Sequence, residues 1–103
     1  MNIGIQKYPF VSTLVEGKGQ ALVGTTPIKV SFNIRPTLVT ISADPANTGT
    51  VYYGGSTVAS TGANAVGFLR AGESVSLNFD TITGSLYIVA SVAAQNYYAG
   101  AFC

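Results

Sequence analysis

Glu16, Asp44, Glu73 and Asp80 are the only acidic side chains in the sequence. A suitably placed pair could work as the acid and nucleophile of a glycosidase, chemistry that two carboxylates perform unaided. Asp44, Glu73 and Asp80, however, stand in or beside turn sequences, where a short acidic side chain ordinarily bonds the backbone of its own turn. Serines are plentiful, but there is no histidine, so the usual base of a nucleophilic triad is missing. The same absence, with one cysteine, leaves a zinc site without its ordinary ligands. Gly17-Lys18-Gly19 and Gly54-Gly55-Ser56 lack the longer Gly-x-x-x-x-Gly-Lys spacing and open no helix, so they read as turns and not as phosphate loops. The expectation is a protein that is not an enzyme and uses no metal or cofactor.

Binding chemistry is better supplied. Tyr52-Tyr53 and Tyr97-Tyr98 are adjacent pairs in β-prone surroundings. Side chains alternate across a strand, so one ring of each pair turns to the core and the other to the surface. Two roles stay open for the outward rings: an intersubunit contact, or a platform on which a sugar stacks. Ile3, Ile5 and Tyr8 form a third apolar set, alternating with Asn2, Gly4, Gln6 and Lys7 and cut off by Pro9. That segment reads as an extended N-terminal arm over residues 1–9, as a strand completed by a neighbour, or as a frayed end.

The elements that must position these groups are strands. Ala43-Asp44-Pro45-Ala46-Asn47-Thr48-Gly49 is a turn: Pro45 fixes φ, Asp44 bonds forward, and Asn47 and Gly49 accept positive φ. It feeds the β-branched and aromatic Thr50-Val51-Tyr52-Tyr53, which ends on Gly54-Gly55. Upstream, residues 10–16 and 20–23 read as strands joined by a hairpin at Gly17-Lys18-Gly19. Residues 28–34 alternate, with Val30, Phe32 and Ile34 on one face. Val39 and Ile41 point inward from the next strand. Residues 56–67, small and uncharged, read as a long connection, after which Phe68 and Leu69 return to the core. Val75, Leu77 and Phe79 share one face, as do Leu86, Ile88, Ala90 and Val92, and Tyr97 to Phe102 make a last strand. Turn signals every eight to twelve residues predict an all-β, single-domain antiparallel β-sandwich or jelly-roll-like fold over residues 10–103.

Composition bounds the partners. A chain of 103 residues buries roughly two-thirds of its unfolded surface, enough for one core. Charged residues make up 9%, against about 25% in an ordinary domain, so part of the surface is expected to be covered by other subunits. Lys7, Lys18, Lys29, Arg35 and Arg70 are scattered and form no phosphate-binding stripe, which argues against nucleic acid. No apolar run reaches membrane-spanning length and no signal-peptide pattern opens the sequence, so no membrane partner and synthesis in a cytoplasm are expected. Cys103 is an incidental thiol or, where two copies meet, an intermolecular bridge.

The run from Ala43 to Gly55, then Leu69-Arg70-Ala71-Gly72-Glu73-Ser74-Val75-Ser76-Leu77 and Leu86-Tyr87-Ile88-Val89, resembles small virion proteins of tailed bacteriophages, of the β-sandwich type that decorates or cements capsids. The resemblance covers residues 37–92 and rests on turn and strand motifs in the same order. It implies a structural protein of the virion, made in the host cytoplasm. It also implies that the chain binds the outer surface of the major capsid protein and assembles as a homo-oligomer, a trimer first of all; the apolar sets Ile3, Ile5 and Tyr8, Tyr52 and Tyr53, and Tyr97 and Tyr98, read from the residues themselves, are the candidate capsid or intersubunit contacts. The other reading is a spike- or fibre-associated module that binds a host glycan.

Overall fold

The structure is a computed structural model and describes residues 14–33, 36–78 and 86–102. The N-terminal arm with Ile3, Ile5 and Tyr8, and also Ile34, Arg35, Phe79, Asp80 and Cys103, lie outside the described residues. Every regular element among those described is a strand: β1 (Leu14–Gly17), β2 (Ala21–Val23), β3 (Ile28–Val30), β4 (Leu38–Ala43), β5 (Val51–Gly54), β6 (Ala65–Leu69), β7 (Ser74–Asn78), β8 (Leu86–Ala90) and β9 (Gln95–Phe102).

All pairings are antiparallel. One sheet runs β1-β9-β4-β7, with β2 also on β9, and the other runs β3-β8-β5-β6. With β1 and β2 counted as one interrupted strand, the pairs β1/β2 with β9, β3 with β8, β4 with β7 and β5 with β6 are those of a long hairpin rolled up on itself. This is the jelly-roll arrangement of a two-sheet sandwich, as the sequence predicts.

The core follows from alternation. Strand β4 turns Val39, Ile41 and Ala43 inward, and β9 turns Tyr97, Ala99 and Ala101 inward. Most of these join Val23, Val30, Val51, Leu69, Leu86, Ile88 and Ala90 in one cluster, with Tyr53, Phe32, Val75 and Leu77 packed at its margin. Full burial of a side chain such as Ile41 or Ile88 stabilises by about 1.5–3 kcal/mol.

Several expectations are corrected. Gly17-Lys18-Gly19 is not a hairpin, because β1 and β2 both run antiparallel to β9 and so point the same way along its edge. The Lys18 N–H donates to Ala99 O at 2.8 Å across the break, and Gly19 takes φ +69° to realign the chain. Strand β3 stops at Val30, short of the predicted span. The predicted connection over 56–67 ends earlier, since Ala65 to Gly67 belong to β6. Gly67 lies directly opposite Tyr53, and a β-carbon there would collide with the Tyr53 hydroxyl; the missing side chain is the space the ring uses. Phe68 faces outward while Leu69 is buried.

Val92 lies past the end of β8 and is exposed, whereas Val89, which alternation turns away from the core, has no exposed surface. The connection 55–64 accounts for that. It closes on itself through Val58 N to Gly55 O, Ala59 N to Ala63 O and Gly62 N to Ala59 O, and it buries Val58. Its Gly62 backs onto the ring of Tyr52, 3.0 Å from where a β-carbon would sit. Tyr52 pairs with Val89, so the loop covers the outer side of this sheet at that point.

Position in the sandwich sets the cost of a cavity. Ile41→Ala or Ile88→Ala should destabilise by about 2–5 kcal/mol. Leu77→Ala, on the half-buried edge strand β7, should cost clearly less. Urea denaturation of the three variants measures the order.

Candidate functional site

Strand β9 is central in its sheet, and alternation gives it an outer face of Asn96, Tyr98, Gly100 and Phe102. Registration sets Leu38, Thr40 and Ser42 of β4 beside Phe102, Gly100 and Tyr98. Asn78, Ser76 and Ser74 of β7 continue the same rows. None of these positions carries a charge. The Thr40 and Ser76 hydroxyls lie 3.2 Å apart and bond each other. The result is a face of hydroxyls, amides and glycine, with Tyr98 at one end and Phe102 with Leu38 at the other. At roughly 3.4 Å per residue, the two aromatic positions of β9 are about 14 Å apart.

Tyr98 is fixed in place although its side chain is partly exposed, at 38%. Its hydroxyl donates to Asp44 Oδ2 at 3.0 Å, and Gln20 Nε2 donates to the same oxygen at 2.9 Å. Asp44 Oδ1 accepts from the Ala46 N–H at 2.8 Å. The Ala46 amide, then Gln20 and Tyr98, hold the Asp44 carboxyl below its ordinary value, outweighing burial. The bond to Asp44, together with burial and the carboxylate's charge, raises Tyr98 above the usual phenol value. The site therefore holds a phenol and a carboxylate in one arrangement, each bonded in the form it has at neutral pH.

Behind Tyr98 the turn after β4 is latched to the start of β9. Gln95 is buried; its Oε1 accepts from the N–H groups of Thr48 and Gly49, both at 2.8 Å, and its Nε2 donates to Thr48 Oγ1 and Ala93 O. Asn47 Nδ2 donates to Asn96 O and the Asn96 N–H donates back to Asn47 Oδ1, each at 2.9 Å. The Thr50 N–H donates to Ser91 Oγ.

The four predicted tyrosines separate. Tyr97 is in the core, where burial raises its pKa, and it leaves little surface for a partner. Tyr53 is half-buried at the core margin, and Tyr52 is half-buried beneath the 55–64 loop. Tyr98 alone of the four lies on the open sheet face. The other two described carboxylates are occupied as turn and loop bonds: Glu73 accepts from the Arg70 N–H at 2.7 Å, and Glu16 accepts from the Asn33 N–H while pairing with Lys18 at 3.3 Å. Among the described residues no group of three or more His, Cys, Asp or Glu could hold a metal ion. Gln20 and Gln95 escaped the sequence reading; a glutamine at the first inward position of a strand otherwise lined by Tyr97, Ala99 and Ala101 was the available signal.

Comparison with family models, with curated proteins and with solved structures gives no match to this chain.

Gln95→Ala strands two turn amides and should lower stability by about 2–4 kcal/mol in denaturant melts. Asp44 adds a pH dependence. Its folded pKa is depressed, so its contribution is complete above 3.8 and is lost as pH falls through the lower folded value. Asp44→Asn should flatten the acid limb of the thermal-midpoint profile. Tyr98, with its raised value, contributes below 10.0 and loses that contribution as pH rises through its folded value; Tyr98→Phe should flatten the alkaline limb.

Proposed function

We propose that the chain is a structural virion protein that binds the outer surface of a tailed-phage capsid, with the major capsid protein as partner, and stabilises the particle. The observation that carries this reading is the uncharged outer face of the β9-β4-β7 sheet. A face without Lys or Glu has nothing to keep another protein off it, and a half-exposed tyrosine fixed by hydrogen bonds is a low-entropy anchor for a protein contact. The motif order that resembles capsid-decorating proteins supports the same reading. So does the jelly roll, by fold analogy alone, since capsid domains use it. A protein that binds only the assembled lattice stabilises that lattice by its binding free energy, and repeated copies add up.

A second reading has an observation of its own. Tyr98 beside Asn96, Ser42 and Ser74 is also a stacking ring next to hydroxyl and amide partners, which suits a neutral host glycan, and lectin domains share the fold.

The test is quantitative mass spectrometry of purified virions, followed by rebinding of variants to particles stripped of the protein. Hundreds of copies per virion are expected. Ser76→Arg, at an exposed position whose substitution costs about 0.5 kcal/mol or less, should abolish rebinding while the melting profile stays unchanged. A handful of copies per virion, or full rebinding by Ser76→Arg, contradicts the capsid reading. Glycan-array binding that Tyr98→Ala removes would establish the second.

A further inference from the structure

We propose that β6 is a self-association edge: it pairs antiparallel with β6 of a second copy about a two-fold axis through Gly67, joining two four-stranded sheets into one of eight. This is a two-fold contact, not the three-fold one that the resemblance implies, and it is independent of which face meets a capsid.

The four sheet edges differ in how they are guarded. The β1/β2 edge is interrupted and has Glu16 and Lys18 at its break, with the Lys18 ammonium also 5.1 Å from the Phe32 ring centre. Strand β3 is short, follows Pro27 and presents Lys29. Strand β7 presents Ser74, Ser76 and Asn78. These are the usual devices against edge pairing: breaks, prolines, lysines and polar side chains. Strand β6 has no proline, lysine or polar side chain, and its one irregularity is a bulge at Val66, where Tyr53 pairs with Gly67 but Gly54 pairs with Ala65. Its sequence is Ala-Val-Gly-Phe-Leu, it is terminal in its sheet, and Val66 and Phe68 are 76% and 50% exposed. Among the described residues no strand lies on its free side, so one row of its backbone N–H and C=O groups is open to a strand partner.

Charge selects a second copy as that partner. An edge that pairs with itself meets its own charges, and like charges set opposite destabilise a pair; β6 has none to repel. With the axis at Gly67, Val66 lies opposite Phe68 of the other copy and Phe68 opposite Val66, so four exposed apolar side chains cover one another. Arg70, whose guanidinium lies 5.5 Å from the Phe68 ring centre, falls opposite the uncharged Asn64 of the other copy. The pairing thus buries the most exposed large apolar residue of the described chain and creates no charge conflict.

The experiment is sedimentation equilibrium of the full chain carrying Cys103→Ser, up to millimolar concentration. A monomer–dimer equilibrium is expected. Val66→Lys should keep the parent circular dichroism and melting profile while weakening dimerisation about tenfold or more. A register test needs no charge. Directly opposed residues in an antiparallel pair have Cα atoms about 4.5–5.5 Å apart, within disulfide reach, whereas diagonal neighbours are about 7–8 Å apart. On oxidation, Val66→Cys/Phe68→Cys in the Cys103→Ser background should form a covalent dimer, and neither single variant should. A monomer at every concentration, an undiminished dimer in Val66→Lys, or single-cysteine variants that cross-link as readily as the double variant would each overturn the proposal. If Val66→Lys fails to fold, the cysteine series decides.

Discussion

A jelly roll carries its chain from one sheet to the other at nearly every connection, and the backbone of those crossings has no ladder to pair with. Buried amides left in that state cost as much as lost hydrogen bonds. Here the crossing from β4 to β5 and the crossing from β8 to β9 meet at one end, and side-chain amides do the pairing: Gln95 takes the amides of Thr48 and Gly49, and Asn47 exchanges bonds with the backbone of Asn96. Asp44 ties the same turn to Gln20 and Tyr98. The sandwich closes at that end because these groups are satisfied, and the orientation of Tyr98 on the outer face follows from the same bonds. Structure and candidate site therefore share one network.

Much of this was legible. The turn chemistry of Asp44-Pro45 and the glycines after it located the β4–β5 crossing, and the period of two along Val39 and Ile41 gave the correct inward face. The rule that adjacent residues on a strand face opposite ways divided Tyr97 from Tyr98 in principle, but only register against β4 shows which is buried. The failures have physical causes. Gly17-Lys18-Gly19 has hairpin composition, yet whether a glycine reverses a chain or merely offsets it depends on the partner strand, and β9 lies almost eighty residues on. Ala65 to Gly67 looks like loop in part because Gly67 records the space needed by the Tyr53 ring on the neighbouring strand. Gln95 reads as polar surface until the turn amides beneath it are known.

Charge is scarce but not evenly so. Glu16, Lys18 and Lys29 gather at the β1/β3 side, Asp44 is used internally, and Arg70 and Glu73 close the turn between β6 and β7. Among the described residues, the β9-β4-β7 face and the β6 edge carry no charge. These two regions differ in kind: the face offers side chains to a partner of complementary shape, while the edge offers backbone groups to another strand. A low charge content thus becomes two distinct chemical surfaces once the fold has distributed it.

The interruption between β1 and β2 has a dynamic consequence. Two short segments, not one long strand, close the outer side of β9, with β1 on Gly100 to Phe102 and β2 on Gln95 to Tyr97. Cooperative opening spreads along continuous ladders and halts where a ladder is broken. Strand β4, by contrast, pairs without a break along Tyr97 to Phe102, so opening of the β1/β2 edge can stop at the interruption while β9 stays held on its other side. Loss of β1 therefore leaves the Gln95 latch, which joins β9 to the turn after β4, with its own bonds in place.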